Sequence, residues 1–205
     1  MLNTEFIAAN QASSQRLMIV LHGLGDSVAG YRWWPEAMGL PWLNYLLVDA
    51  PDPYYGGFAW YDLGDPVSGI KRSRDLLFQL LDQLAGKGFP PGGIVFSGFS
   101  QGCLMSIEIG ARYRHHLAGI VGISGYVYEA EKLVKELAPE AAGQRFLLTH
   151  GTQDPLIPIA QVRPQIEILR RGGLHIEWHE FVKGHTIAGE QEMSVVREFV
   201  EKCYE

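Results

Sequence analysis

A serine bounded by two glycines, Gly98-Phe99-Ser100-Gln101-Gly102, stands directly between the apolar run Ile94-Val95-Phe96 and a helix-like run over 101–113. A sharp strand-to-helix turn of this kind strains the serine backbone and lifts its hydroxyl above a sheet, and the flanking glycines permit the close chain approach the turn requires. The rest of the chain repeats the same grammar. Short apolar runs at 16–22, 44–50, 93–97, 117–124, 145–150 and 174–182 alternate with segments of helical period, as expected when parallel strands are joined by crossover helices. Most of these runs are apolar throughout, which suits strands buried on both faces. The expectation is an α/β fold with a mostly parallel central sheet and helices on both faces.

Three apolar stripes mark the crossover helices. Leu76, Leu77, Leu80, Leu81 and Leu84 recur at helical spacing before Gly86 and Gly88; Ile159, Val162, Ile166 and Leu169 do so before Gly172 and Gly173; Met193, Val196, Val200 and Cys203 form the last. With 205 residues and 47% apolar composition the chain can bury a sizeable core, and no repeat, linker or low-complexity tract divides it, so one domain over 1–205 is expected.

Charge and cysteine usage narrow the partners. A net charge of −6 supplies no basic stripe to displace counterions from phosphates, which argues against nucleic acid and against an anionic membrane surface. The opening MLNTEFIAAN and the later segments lack the charged flank and long apolar run of a signal peptide or membrane span; a cytoplasmic protein without stable membrane insertion is expected. Cys103 and Cys203 are too few for a disulfide framework or a metal cluster. Cys103, three residues beyond Ser100, reads as a small buried side chain.

A serine hydroxyl needs a base to take its proton and a third group to hold that base in the right tautomer. In α/β-hydrolase chains these follow in the order Ser, acid, His. Asp154 lies in the loop after the run at 145–150, and His185, in Gly184-His185-Thr186, follows the last run. The expected catalytic residues are therefore Ser100, Asp154 and His185, with Asp49 and Asp62 as weaker candidates for the acid. His115 and His116 close a helix, where positive charge is favourable in any protein. His175 and His179 alternate with Glu177, a spacing compatible with metal ligands, but an exposed polar strand face accounts for it and no metal is expected. His150 sits close to Asp154 in the chain and reads as a supporting residue.

Leu21-His22-Gly23-Leu24-Gly25-Asp26 opens a glycine-rich loop after the strand run at 16–22. Loops at this point of the fold supply one oxyanion-hole donor, and the residue after the nucleophile supplies the other. The backbone N–H groups of Leu24 and Gln101 are assigned to those roles. A dinucleotide-binding reading fails, because Gly23-Leu24-Gly25-Asp26-Ser27-Val28 lacks the third glycine of that fingerprint. The aromatic stretch 54–61 has no clear period and reads as an irregular loop made mobile by Gly56 and Gly57. Its Phe58, Trp60 and Tyr61 are the candidate substrate-binding residues, either as an apolar wall for an acyl chain or as ordinary packing.

Leu-His-Gly-Leu-Gly-Asp at 21–26, Trp60-Tyr61-Asp62, Ser68-Gly69-Ile70, Gly-Phe-Ser-Gln-Gly at 98–102, Asp154-Pro155 and Gly184-His185 occur in that order. Together they resemble the acyl-protein thioesterase, lysophospholipase and carboxylesterase family of the α/β-hydrolase superfamily. The resemblance implies the α/β-hydrolase fold, hydrolysis of small-molecule carboxylic esters or acyl thioesters through an acyl-enzyme, no cofactor, and often a homodimer. Two positions depart from the family pattern: Val67 replaces an acidic residue before Ser-Gly-Ile, and Cys103 replaces a glycine or alanine. The stretch from Leu63 to Val67 is also short, which leads to the expectation of a short acyl groove. An acyltransferase using the same acyl-enzyme and a non-catalytic binding protein on this fold are the alternatives.

Overall fold

The computed structural model describes residues 2–205. Seven strands form one sheet: β1 (Thr4–Ile7), β2 (Leu17–Leu21), β3 (Asn44–Val48), β6 (Ile94–Phe99), β7 (Gly119–Ile123), β8 (Arg145–Gly151) and β9 (His175–Phe181). A separate two-stranded hairpin is made by β4 (Asp52–Tyr54) and β5 (Gly57–Ala59). The sheet order is β1-β3-β2-β6-β7-β8-β9, parallel throughout except for β1, which runs antiparallel on β3. This is the mostly parallel α/β arrangement that the alternating apolar runs call for, with an antiparallel edge strand added by β1.

Both faces of the sheet are covered, and strand parity divides the core accordingly. Leu17, Ile19 and Leu21 of β2 point toward α2 (Pro66–Ala85), α3 (Gln101–Arg112), α4 (Ala130–Lys135) and α5 (Ile159–Arg171). Met18 and Val20 point the other way, toward α1 (Trp34–Met38) and α6 (Glu190–Lys202). Residues 101–111 of α3 are all buried, because this helix lies on β6 and β7 and beneath α2. Buried all round, it carries apolar or small residues at most positions, and its buried polar members Gln101 and Glu108 are satisfied by the Trp60 and Tyr61 backbone and by Arg112.

The six apolar runs correspond to β2, β3, β6, β7, β8 and β9 to within two residues at each end. Three features depart from the sequence reading. First, β1 alternates exposed and half-buried side chains and is held only at the sheet edge, so it lacks a long apolar signature. Second, α2 begins ten residues before the leucine stripe, at Pro66 in its first turn, where the missing proline N–H costs nothing. Of the stripe, Leu77, Leu81 and Leu84 are buried in the core whereas Leu76 and Leu80 flank it. Third, the aromatic stretch is a tight hairpin. Its turn is made by Tyr55 (φ 42°) and Gly56 (φ 91°), and the backbone of Phe58 bonds to the glycine loop through Gly25 N–H to Phe58 O (2.8 Å) and Phe58 N–H to Asp26 O (2.9 Å). Gly57 serves this close approach, since a Cβ there would overlap the Gly25 carbonyl.

Candidate active site

The turn between β6 and α3 places Ser100 at φ 54°, ψ −115°, a positive φ that L-residues adopt only when the surroundings enforce it. The surroundings do so. Ser100 N–H donates to Ile123 O (2.9 Å) at the end of β7, and a Cβ on Gly98 or on Gly102 would overlap the carbonyl of Gly102 or of Leu21 respectively. Both flanking glycines are therefore sterically required, and the hydroxyl is held at the carboxyl end of the parallel strands, where such sheets bind ligands.

Two further loops on that side meet it. The loop after β9 brings the Nε2 of His185 to 2.9 Å from Ser100 Oγ, and the loop after β8 brings Asp154 Oδ2 to 2.7 Å from His185 Nδ1. Phe99 packs against the imidazole, ring centroids 5.0 Å apart, and restricts its tilt. Asp154 is buried, and its second oxygen accepts the N–H groups of Leu156 and Ile157, both at 2.9 Å. Burial alone would raise its pKa; the Ile157 N–H, His185 and the Leu156 N–H outweigh that and hold the carboxyl below the usual aspartate range.

The other acid candidates sit elsewhere. Asp49 is buried but accepts from Val28 N–H (2.7 Å) and Asn3 (2.6 Å), while Asp62 is exposed and accepts from Gly64 N–H (2.6 Å). His150 is fully buried beside the site; its Nε2 bonds to Ile157 O (2.8 Å), so it supports the loop that carries Asp154, and burial lowers its pKa. On β9, His179 Nε2 lies 2.7 Å from Glu177 Oε1, and among the described residues no group of three His, Cys, Asp or Glu is arranged to hold a metal ion.

The glycine loop after β2 borders the serine directly: a Cβ added to Gly23 would lie 3.3 Å from Ser100 Cβ. Within it Gly25 N–H and Asp26 N–H are taken up by Phe58 O and Gly23 O, whereas Leu24 N–H has no partner among the described residues. Gln101 is the first residue of α3, so its N–H is one of the helix's free first-turn donors. The Gln101 side chain is not free. Its Oε1 accepts Trp60 N–H and its Nε2 donates to Tyr61 O, both at 2.9 Å, which ties the start of α3 to the aromatic segment.

Of the three aromatic candidates, Phe58 is half-buried, and Trp60 and Tyr61 are enclosed at 0% and 1% exposure. The Trp60 indole N–H donates to His22 O (2.9 Å) and the Tyr61 hydroxyl meets that of Tyr126 (3.1 Å), so both side chains brace the walls of the site. His22 was hidden in the sequence within its glycine motif. Its Nδ1 bonds to Gly23 O (2.6 Å) and its Nε2 accepts Ala50 N–H (3.0 Å), and burial keeps the ring neutral, so it fastens the glycine loop to the end of β3. Cys103 packs against Gly122 and Gly125 beneath the Ser100 turn, and burial pushes its thiol up to about 12, which leaves it a neutral space-filling side chain.

Comparison with known proteins agrees with this architecture. The phospholipase/carboxylesterase family model matches residues 2–204. Acyl-protein thioesterase 1 of Schizosaccharomyces pombe is 35% identical over 155 residues, 69% of each chain, and its counterpart in Yarrowia lipolytica is 28% identical over 212 residues, 94% of this chain and 93% of that one. Among solved structures, esterase PE8 superposes with a TM-score of 0.86 at 25% identity, covering 98% of this chain and 99% of the other. The Bacillus cereus carboxylesterase shares the fold, with a TM-score of 0.84 at 20% identity over 99% and 95% of the two chains. A serine on a strand-to-helix turn, a glycine loop beside it and a match along nearly the whole chain lead to one conclusion: the protein belongs to the phospholipase/carboxylesterase family of α/β hydrolases.

Proposed function

We propose that this hydrolase of carboxylic esters or thioesters works through an acyl-enzyme on Ser100, with His185 as base, Asp154 as its orienting acid, and the N–H groups of Leu24 and Gln101 as oxyanion donors. The observation that carries the proposal is the unbroken row Ser100 Oγ, His185 Nε2, His185 Nδ1, Asp154 Oδ2, with hydrogen bonds of 2.9 and 2.7 Å. Ser100 Oγ attacks the acyl carbon while its proton passes to Nε2. The C=O becomes an oxyanion held by the two N–H groups, the C–O or C–S bond to the leaving group breaks, and Nε2 gives the proton to the departing alkoxide or thiolate, releasing the alcohol or thiol. Water then repeats the sequence on the acyl-serine, releasing the acid and restoring the hydroxyl.

The aromatic walls support an acyl substrate. Trp60 and Tyr61 brace the site from within, and of the three aromatic candidates Phe58, on the hairpin clamped to the glycine loop, alone keeps surface for an acyl chain. Each methylene that such a surface buries contributes up to about 0.8 kcal/mol, so kcat/KM is expected to climb several-fold per two-carbon step up to short or medium chains and then level off. A panel of p-nitrophenyl esters and acyl thioesters of graded length tests both the activity and the groove. Phe58→Ala should flatten the chain-length profile more than it lowers acetate-ester hydrolysis; an unchanged profile in the folded variant would remove Phe58 from the acyl site.

The pH dependence has a defined sign. His185 must be neutral to accept the Ser100 proton, so kcat/KM should rise with pH to a plateau as the imidazole loses its proton. Despite its burial, Asp154 is held below the usual aspartate range by the Ile157 N–H, His185 and the Leu156 N–H. An activity maximum on the acid side in a pH–rate profile would exclude a neutral histidine base.

A further inference from the structure

The base is carried on residues 182–189, a connection between β9 and α6 without regular structure of its own. Irregular surface loops are the mobile parts of a fold, yet this one must keep an imidazole within hydrogen-bond reach of both Ser100 and Asp154. Glu192, in the first turn of α6, is 0% exposed, and its carboxylate turns back under the loop. Oε2 accepts Ala188 N–H at 2.7 Å, Oε1 accepts the Thr149 hydroxyl of β8 at 2.5 Å, and both oxygens lie 2.6 Å from Lys183 Nζ. Lys183 precedes His185 and Ala188 follows it, so one carboxylate grips the loop on either side of the base.

Lys183 also reaches the acid. Its carbonyl accepts Gln153 N–H at 3.1 Å, immediately before Asp154, and its chain runs so close over Gly151 that a Cβ there would overlap the Lys183 carbonyl and lie 3.0 Å from Lys183 Cγ. Lys183 is itself only 6% exposed. A buried ion pair gives little net stability, because desolvation of both charges offsets their attraction, and a well-packed apolar pair often serves the fold as well. Stability alone therefore gives no reason for such a pair at this point.

We infer that Glu192, with Lys183 as its buried counter-ion, is a positioning residue for the reaction, fixing His185 and the Asp154 loop relative to each other. The inference rests on the roles proposed above for Ser100 and His185. A misplacement of the base by about 1 Å costs up to the order of 100-fold in rate while leaving substrate binding unaltered, so the effect belongs in kcat and not in KM.

The test measures kcat per active site, titrated with a fluorophosphonate, together with KM. Glu192→Leu combined with Lys183→Met replaces the pair by apolar side chains of similar size and strands the Ala188 N–H; kcat should fall about 30-fold or more with KM within about twofold. Glu192→Asp keeps the charge but withdraws it by one methylene, and a fall of about tenfold is expected. Glu192→Gln combined with Lys183→Met keeps an acceptor for Ala188 and a partner for Thr149 without a stranded charge, and should stay within about fivefold of the parent. A purely structural pair would alter the melting temperature and the titratable fraction but not kcat per titrated site. If Glu192→Asp, or the Leu/Met double variant where it folds, retains kcat within about twofold, the inference is overturned; so it is if the Gln/Met variant falls as far as the Leu/Met one. Loss of the underlying site assignment shows separately, as fluorophosphonate labelling that survives Ser100→Ala.

Discussion

Ser100→Ala is expected to abolish nearly all turnover, a loss on the order of 10⁴-fold or more in kcat, while leaving the melting temperature close to that of the parent. The turn does not depend on the hydroxyl. Its geometry is set by the Ser100 N–H bond to Ile123 O and by the close approaches at Gly98 and Gly102, all of which an alanine preserves. What disappears is the hydroxyl proposed to accept the acyl group, which lies 2.9 Å from His185 Nε2. Residual rate would come from water held beside the Leu24 and Gln101 N–H groups. Fluorophosphonate labelling followed by intact mass decides the matter: labelling of the alanine variant at the parental rate would place the nucleophile elsewhere.

Asp154→Asn should cost nearly as much, on the order of 10⁴-fold in kcat, through the tautomer of the base. Asp154 Oδ1 accepts two backbone N–H groups, from Leu156 and Ile157, so an asparagine keeps its carbonyl oxygen there and must present its amide NH₂ to His185 Nδ1. Nδ1 then accepts instead of donating, the ring proton moves to Nε2, and the nitrogen facing Ser100 has no lone pair for the serine proton. The flipped amide is worse, since it sets NH₂ against two donors. Because the imidazole can regain its reactive state only by losing the Nε2 proton, activity should recover partly at high pH. A variant that is folded and fully active at neutral pH would show that the aspartate does not orient the base.

Much of the candidate site's geometry was legible because its residues lie in short contiguous motifs. Ser100 and its glycines are neighbours in the chain, and the strand before and helix after them carry plain apolar signatures. Asp154 and His185, which the fold brings to Ser100, stood out among several acids and seven histidines because each follows an apolar run that reads as a strand. Other parts left no such trace. His22 fastens the glycine loop through Gly23 and Ala50, and the amide of Gln101 joins Trp60 and Tyr61; both act through backbone partners whose identity the side-chain sequence does not encode. The aromatic stretch looked irregular because a hairpin of three-residue strands has too few residues to show a period.

The six main parallel strands, the crossover helices that carry apolar stripes, the two-faced burial of the sheet and the place of the turn at Ser100 were determined by the sequence alone, since hydrophobic period and glycine sterics act over a few residues at a time. Which aromatics present surface and which are enclosed, and how a glutamate on the last helix comes to grip the loop of the base, were decided only by the tertiary structure. Those outcomes depend on side chains distant in the chain competing for the same small volume, and on buried charges finding partners there, and neither distance nor burial is a property of a linear segment.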